Sequence, residues 1–240
     1  MDWNHILNWR LLKGHHRFPG PDGGTCINEA AIVAAGLPYR AIGSAEDCPP
    51  CFSRPIAAYA LQLNDYMPDN ARQELLMPYV VRLAGTADTP EVEARRVAHI
   101  VLQTVKRILP IFLRGNEFEK EALACEQAVG LPEASIAATW ASKSAPFAAM
   151  SACHAAAHAC KMPEDTYISL TRTIGRACSA SGLSISWKVF RPAVEILDEI
   201  ICLGKHAEPP EIEAVVSRMD KARHSMKIGG EHAIFSQAGC

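Results

Sequence analysis

Apolar residues along the chain recur at steps of three and four, and most of these runs open on a cap residue or proline and close on glycine or proline. Thr25 precedes the run Cys26 to Val33, which stops at Gly36 with Pro38 beyond. Ser53-Arg54-Pro55 opens a second helix through Ile56, Tyr59, Ala60 and Leu63, ending near Met67-Pro68. Asp69 caps a third over Ala71 to Leu76, and Met77-Pro78 restarts it towards Leu83 before Gly85. Thr89-Pro90-Glu91 combines a cap residue, a proline at the first helical position and an acid in the first turn. The helix it opens runs to Pro110, which is expected to bend or end it. Further helices are predicted over Asn116 to Val129, Pro132 to Lys161, Pro163 to Ser181, Ser184 to Leu203 and Pro209 to Lys227. Only Leu37 to Ile42 allows a short β-bridge. The expectation is an all-α fold, a compact bundle of about eight helices with short Gly/Pro turns and a loop-rich N-terminal region.

One helix carries a second pattern. Alanines at 134, 138, 141, 145, 148, 152, 155 and 159 form a heptad seam of small side chains, which lets another helix approach closely, in cis or in a second copy. Trp140, Phe147 and His154 recur every seven residues on another face, so this helix is expected to be buried on two sides, and Pro146 interrupts the run. The shift from a turn-rich first half to an alanine-rich second half suggests parts 1–115 and 116–240, which could also form one continuous domain.

Composition narrows the function classes. With 24 basic and 26 acidic residues and no basic run, the chain lacks the electrostatic drive of non-specific nucleic-acid binding. No apolar stretch approaches the roughly 18 residues that span a bilayer. The N-terminus lacks a secretory pattern, so a cytoplasmic location is expected. Nine scattered cysteines then read mostly as small buried hydrophobes.

Three constellations bear chemistry. Cys48-Pro49-Pro50-Cys51 places two thiols where they could form a redox pair or half a zinc site, with Cys26 and His15, or the adjacent His16, as further ligands. Cys153-His154 to His158-Cys160 sets two histidines four apart on one helix face, without the glutamate of a metalloprotease helix. Gly23-Gly24-Thr25-Cys26 puts a thiol at a helix N-terminus, where unpaired N–H groups favour thiolate. The run from Cys26 to Arg40 looks somewhat like the nucleophile helix of transglutaminase-like and papain-like cysteine enzymes, which implies a cysteine hydrolase with Cys26 as nucleophile. That family needs a sheet carrying a histidine, whereas this chain continues in helices and has no histidine between His16 and His99.

The segments Phe18 to Ala31, Asp47 to Pro55 and Arg82 to Glu91, with the ending Ile196-Leu197-Asp198-Glu199-Ile200, resemble a group of uncharacterised bacterial proteins. The resemblance implies a bacterial or phage origin and carries over no catalytic residue. The leading expectation is therefore a non-enzymatic helical protein that binds another protein, with a homo-oligomer as one form of that binding, and has no cofactor. A zinc-binding protein and a cysteine hydrolase are the alternatives.

Overall fold

In the computed structural model, residues 9–16, 24–144, 154, 157, 160, 183–204 and 211–227 are described. They are helical with no strand, so the fold is all-α. The chain divides into two compact units, Met1–Asp88 with Gly204–Cys240, and Thr89–Leu203. The division therefore falls at Asp88/Thr89, and Gly115 lies inside the second unit.

The first unit contains α1 (Ile27–Ala34), α2 (Arg54–Tyr66), α3 (Asp69–Leu76) and the C-terminal helix Ile212–Lys227. Every residue of α1 is buried. Its N-cap is Cys26, one position beyond the expected Thr25: the Cys26 Sγ accepts the Glu29 N–H and the Glu29 carboxylate accepts the Cys26 N–H, a capping box with sulfur in place of a hydroxyl. Thr25 instead accepts the indole N–H of Trp9 at 2.8 Å. At the other end Gly36 takes φ 75°, and the N–H groups of Gly36 and Leu37 reach back to the carbonyls of Val33 and Ile32. The absent Cβ at Gly36 also leaves room for Arg218, which donates to the Ala34 carbonyl at 2.7 Å.

The α2 helix ends against Arg72, a guanidinium 2% exposed that donates to the carbonyls of Asn64 (2.6 Å) and Met67 (2.7 Å). The helical restart expected at Met77 is a single 3-10 turn, Met77–Tyr79: Pro78 has no N–H to offer a longer helix, and the Leu83 carbonyl is taken by the Thr86 hydroxyl at 2.7 Å. The one β-bridge among the described residues pairs Leu11 with Thr25, not the segment 37–42. The N–H groups of Leu37 and Ile42 are already bound, to the Ile32 carbonyl and to Glu29.

The second unit contains α4 (Pro90–Gln103), a π-helical turn Thr104–Ile108, α5 (Leu109–Gly115), α6 (Glu119–Gln127), α7 (Leu131–Ser144) and α8 (Leu183–Ile201). Pro110 does not end the helix. It lacks the N–H that would reach residue 106, and the preceding turn widens so that the Leu109 N–H bonds the Thr104 carbonyl. The widened turn packs against α4 to α8, with Val105 and Ile108 buried. Arg96, fully buried, donates to the carbonyls of Ile200 (3.1 Å) and Leu203 (2.6 Å) and so closes the end of α8. His99 and Arg107 hold Glu199 at 2.7 and 2.6 Å, and Arg107 also pairs with Glu195.

The described part of the alanine seam, Ala134, Ala138 and Ala141, is fully buried, and α7 packs within the chain on α4, α6 and the π turn. The seam positions from 145 to 159 and the helix expected over 163–181 lie outside the described residues.

At the end of α5, Glu117 stands at φ 68°, the left-handed position of a C-terminal turn in which Phe118 N–H bonds the Leu113 carbonyl at 2.9 Å. Relieving this backbone conformation in Glu117→Gly is expected to stabilise the second unit by about 0.5–1 kcal/mol in urea unfolding. A loss of stability would contradict the reading of strain at this turn.

Candidate functional site

Of the chemically suggestive residues, Cys26 and His16 meet at the N-terminus of α1, where short loops come together. Their centre is Glu29, whose side chain is fully buried one turn into the helix. Its Oε1 accepts the backbone N–H groups of His16 (2.8 Å) and Ile42 (3.0 Å). Its Oε2 accepts the N–H of Cys26 at 2.8 Å and lies 3.0 Å from His16 Nδ1. A carboxylate only accepts, so Nδ1 carries the proton of that pair. Tyr39 closes the arrangement by donating to the His16 carbonyl at 2.8 Å, and burial and the Glu29 charge push its hydroxyl pKa up. Three stretches of chain, around His16, Cys26 and Ile42, are thus tied to one side chain.

Neighbouring side chains fix the backbone in the same manner. Asn64 accepts the Ile27 N–H at 3.1 Å and donates to the Leu12 carbonyl at 2.8 Å. Gln73 both accepts from Leu11 and donates to the Trp9 carbonyl. Asp65 accepts the Gly14 N–H at 2.9 Å. Residues 9–16 are thereby held by side chains of α1, α2 and α3.

Cys26 sits within this cluster but is not activated by it. Burial, then the Glu29 charge, pushes its pKa well above the ordinary thiol value, and these effects outweigh the helix N–H bonds that lower it. A nucleophilic cysteine requires the opposite shift. In the pair before α2, Cys48 is a free buried thiol whose pKa burial raises to about 12. Cys51 is disulfide-bonded, and Cys48 is not its partner. The intervening prolines form a turn closed by the Phe52 N–H on the Pro49 carbonyl at 3.0 Å. Arg54 donates to the carbonyls of Ala45 and Cys48, and the Cys51 carbonyl accepts from Ala87. His15 is exposed, while His16 faces Glu29. The candidate metal ligands Cys26, Cys48, Cys51 and His15 are not brought together as a set, and no group of three or more His, Cys, Asp or Glu placed to hold a metal occurs among the described residues. His154 is helical and exposed and Cys160 buried, whereas His158 lies outside the described residues.

A second surface feature lies in the second unit. Of the five large apolar side chains that stay exposed among the described residues, Leu123, Val129, Ile136 and Trp140 fall on the hairpin formed by α6 and α7, and Val129 and Ile136 are 84% and 71% exposed. Ile136 and Trp140 border a shallow groove of about 360 Å³ that is lined also by Ala124, Gln127, Ala128, Glu133 and Ala137. The bulky stripe is exposed at Trp140 and at His154. This corrects the expectation of a helix buried on two sides: along α7 the seam is covered and the Trp140 face is not.

The sequence reading passed over Glu29, Asn64 and Arg72. Cys26-x-x-Glu29 has the spacing of a capping box, and that was the available signal for Glu29. Polar residues such as Asn64 and Arg72 look like solvated helix faces until the loop they serve is in place. Comparison with family models, with curated proteins and with solved structures gives no match to this chain.

Two outcomes test this description. Glu29→Ala leaves three backbone N–H groups without their acceptor, and urea unfolding should show a loss of roughly 3–5 kcal/mol in the first unit. His16→Ala, which removes one bond at a part-exposed ring, should cost well under half of that. In position-resolved thiol labelling of the native protein, the exposed Cys202 should react, while the buried Cys26 and Cys48 react only on unfolding. Rapid labelling of Cys26 at neutral pH would overturn the account of a buried, inert thiol.

Proposed function

We propose that this protein acts by binding another protein, through the outer face of the α6–α7 hairpin, rather than by chemistry at the α1 N-terminus. The observation that carries the reading is the concentration of exposed apolar side chains between Leu123 and Trp140. Scattered single apolar residues are ordinary on a protein surface, but a contiguous set beside a groove marks an interaction site. Burying such a side chain against a partner contributes about 1.5–3 kcal/mol each, and a buried tryptophan is a common anchor. Ile136 and Trp140, four residues apart, form one ridge of α7, and the alanines of the groove allow a helix or an aromatic ring to come close.

The polar residues at the α1 N-terminus support the same reading from the other side. Glu29, Cys26 and Tyr39 have their bonding capacity directed to backbone groups of the fold itself. No helix among the described residues is long and apolar enough to cross a membrane. A binding role in a bacterial or phage setting is consistent with the resemblance in the sequence.

A photo-crosslinking residue at position 140, expressed in the source cells, should yield a discrete protein adduct that is lost when Ile136→Asp is added. The same probe at Glu74, exposed on α3 of the first unit, serves as control. Equal and diffuse labelling from both positions would remove the hairpin as a docking surface.

A further inference from the structure

The α7 helix carries an ordered set along its exposed side: Glu133, Ile136, Trp140 and Lys143, at steps of three, four and three. All four are exposed. The order is acid, apolar, apolar, base, and it is symmetric about position 138. Glu133 and Lys143 each lie five residues from that level, and Ile136 and Trp140 each lie two. With a rise of about 1.5 Å per residue, the charges stand about 7.5 Å to either side of it.

Such a sequence complements its own reverse. If a second α7 lies antiparallel across the first and crosses it at that level, Glu133 of each copy faces Lys143 of the other. Ile136 then meets Trp140 of the other copy, twice, about a two-fold axis. A two-fold interface requires this self-complementarity, with residue i on j and j on i. The hairpin supplies the matching relief, because the ridge of Ile136 and Trp140 borders a groove floored by Ala124, Ala128 and Ala137. Charge adds direction beyond the ridge. The short connection from α6 to α7 makes the two helices antiparallel neighbours, so Lys143 lies towards the open end of the hairpin. Glu133, which accepts the Gly130 N–H at 3.1 Å, lies at the turn end. A parallel arrangement would set like charge on like; the antiparallel one sets each end against its opposite.

We infer that the occupant of this face is a second copy of the chain, joined as a two-fold dimer through antiparallel α7 helices. The inference rests on the reading of the hairpin as a docking surface and names its partner.

Sedimentation of the full chain over a range of concentrations tests it. The wild type should pass from monomer to dimer, and Trp140→Ala should shift that equilibrium toward monomer. Glu133→Lys alone, or Lys143→Glu alone, places like charges together at both symmetric positions and should weaken the dimer by roughly tenfold. Mixing the two single variants should restore association as a heterodimer, because each charge again meets its opposite, and the double variant should restore the homodimer. Circular dichroism of each variant confirms that these exposed substitutions leave the helices intact. A chain that stays monomeric throughout, or a dimer indifferent to the charge variants, overturns the inference. If the chain is monomeric yet the probe at position 140 still captures a different protein, the docking surface stands and the second copy falls.

Discussion

A buried carboxylate is costly to desolvate unless hydrogen bonds replace the water it loses, and Glu29 meets that requirement with three backbone N–H groups and one imidazole. Its four donors come from three separated stretches of chain, so satisfying the charge and positioning the loops are one event. Remove the carboxylate and buried N–H groups at Cys26 and Ile42 have no acceptor; move the loops and the charge is left bare. The first unit follows from this constraint. Because Ile42 and His16 are held to α1, the extended segment 9–16 lies where Asn64, Asp65 and Gln73 can bind its backbone. Arg72 and Arg96 apply the converse rule, each a buried cation whose donors are directed to the carbonyls at a helix end. Each has an acid three residues earlier, Asp69 and Glu93, as a further partner.

Much of the helical framework was legible because it is written in local chemistry. Ser53 and Pro55 start α2, Pro90 starts α4 and Gly36 ends α1, and the structure has helices at those points. Pro110 shows the limit. Its missing N–H was plain, but whether a helix breaks or widens into a π turn depends on whether the flanking turns are gripped by neighbours, and here α6, α7 and α8 all pack on the turn. The division at Asp88 was not visible, because no composition change marks it and the helix Ile212–Lys227 returns to the first unit only through contacts such as Arg218 on Ala34.

Legibility was poorest at the candidate site. Sequence spacing gathered Cys26, Cys48, Cys51 and the histidines as chemistry in one loop-rich region. It could not weigh desolvation against the helix N-terminus. At Cys26 burial and the Glu29 charge win, and the thiol pKa rises. Spacing also pointed to a helix buried on two sides, but only the alanine seam of α7 is covered and the Trp140 face is not. That outcome moves the functional reading from the residues rich in chemistry to a surface poor in it.

Hydrogen exchange of the first unit measures the Glu29 constraint directly. If one buried carboxylate ties the three stretches, the amides of His16, Cys26 and Ile42 should exchange slowly and through a common opening, and all three should lose protection together in Glu29→Gln. Independent exchange of the three at rates typical of surface loops, or protection unchanged by the substitution, would contradict the account.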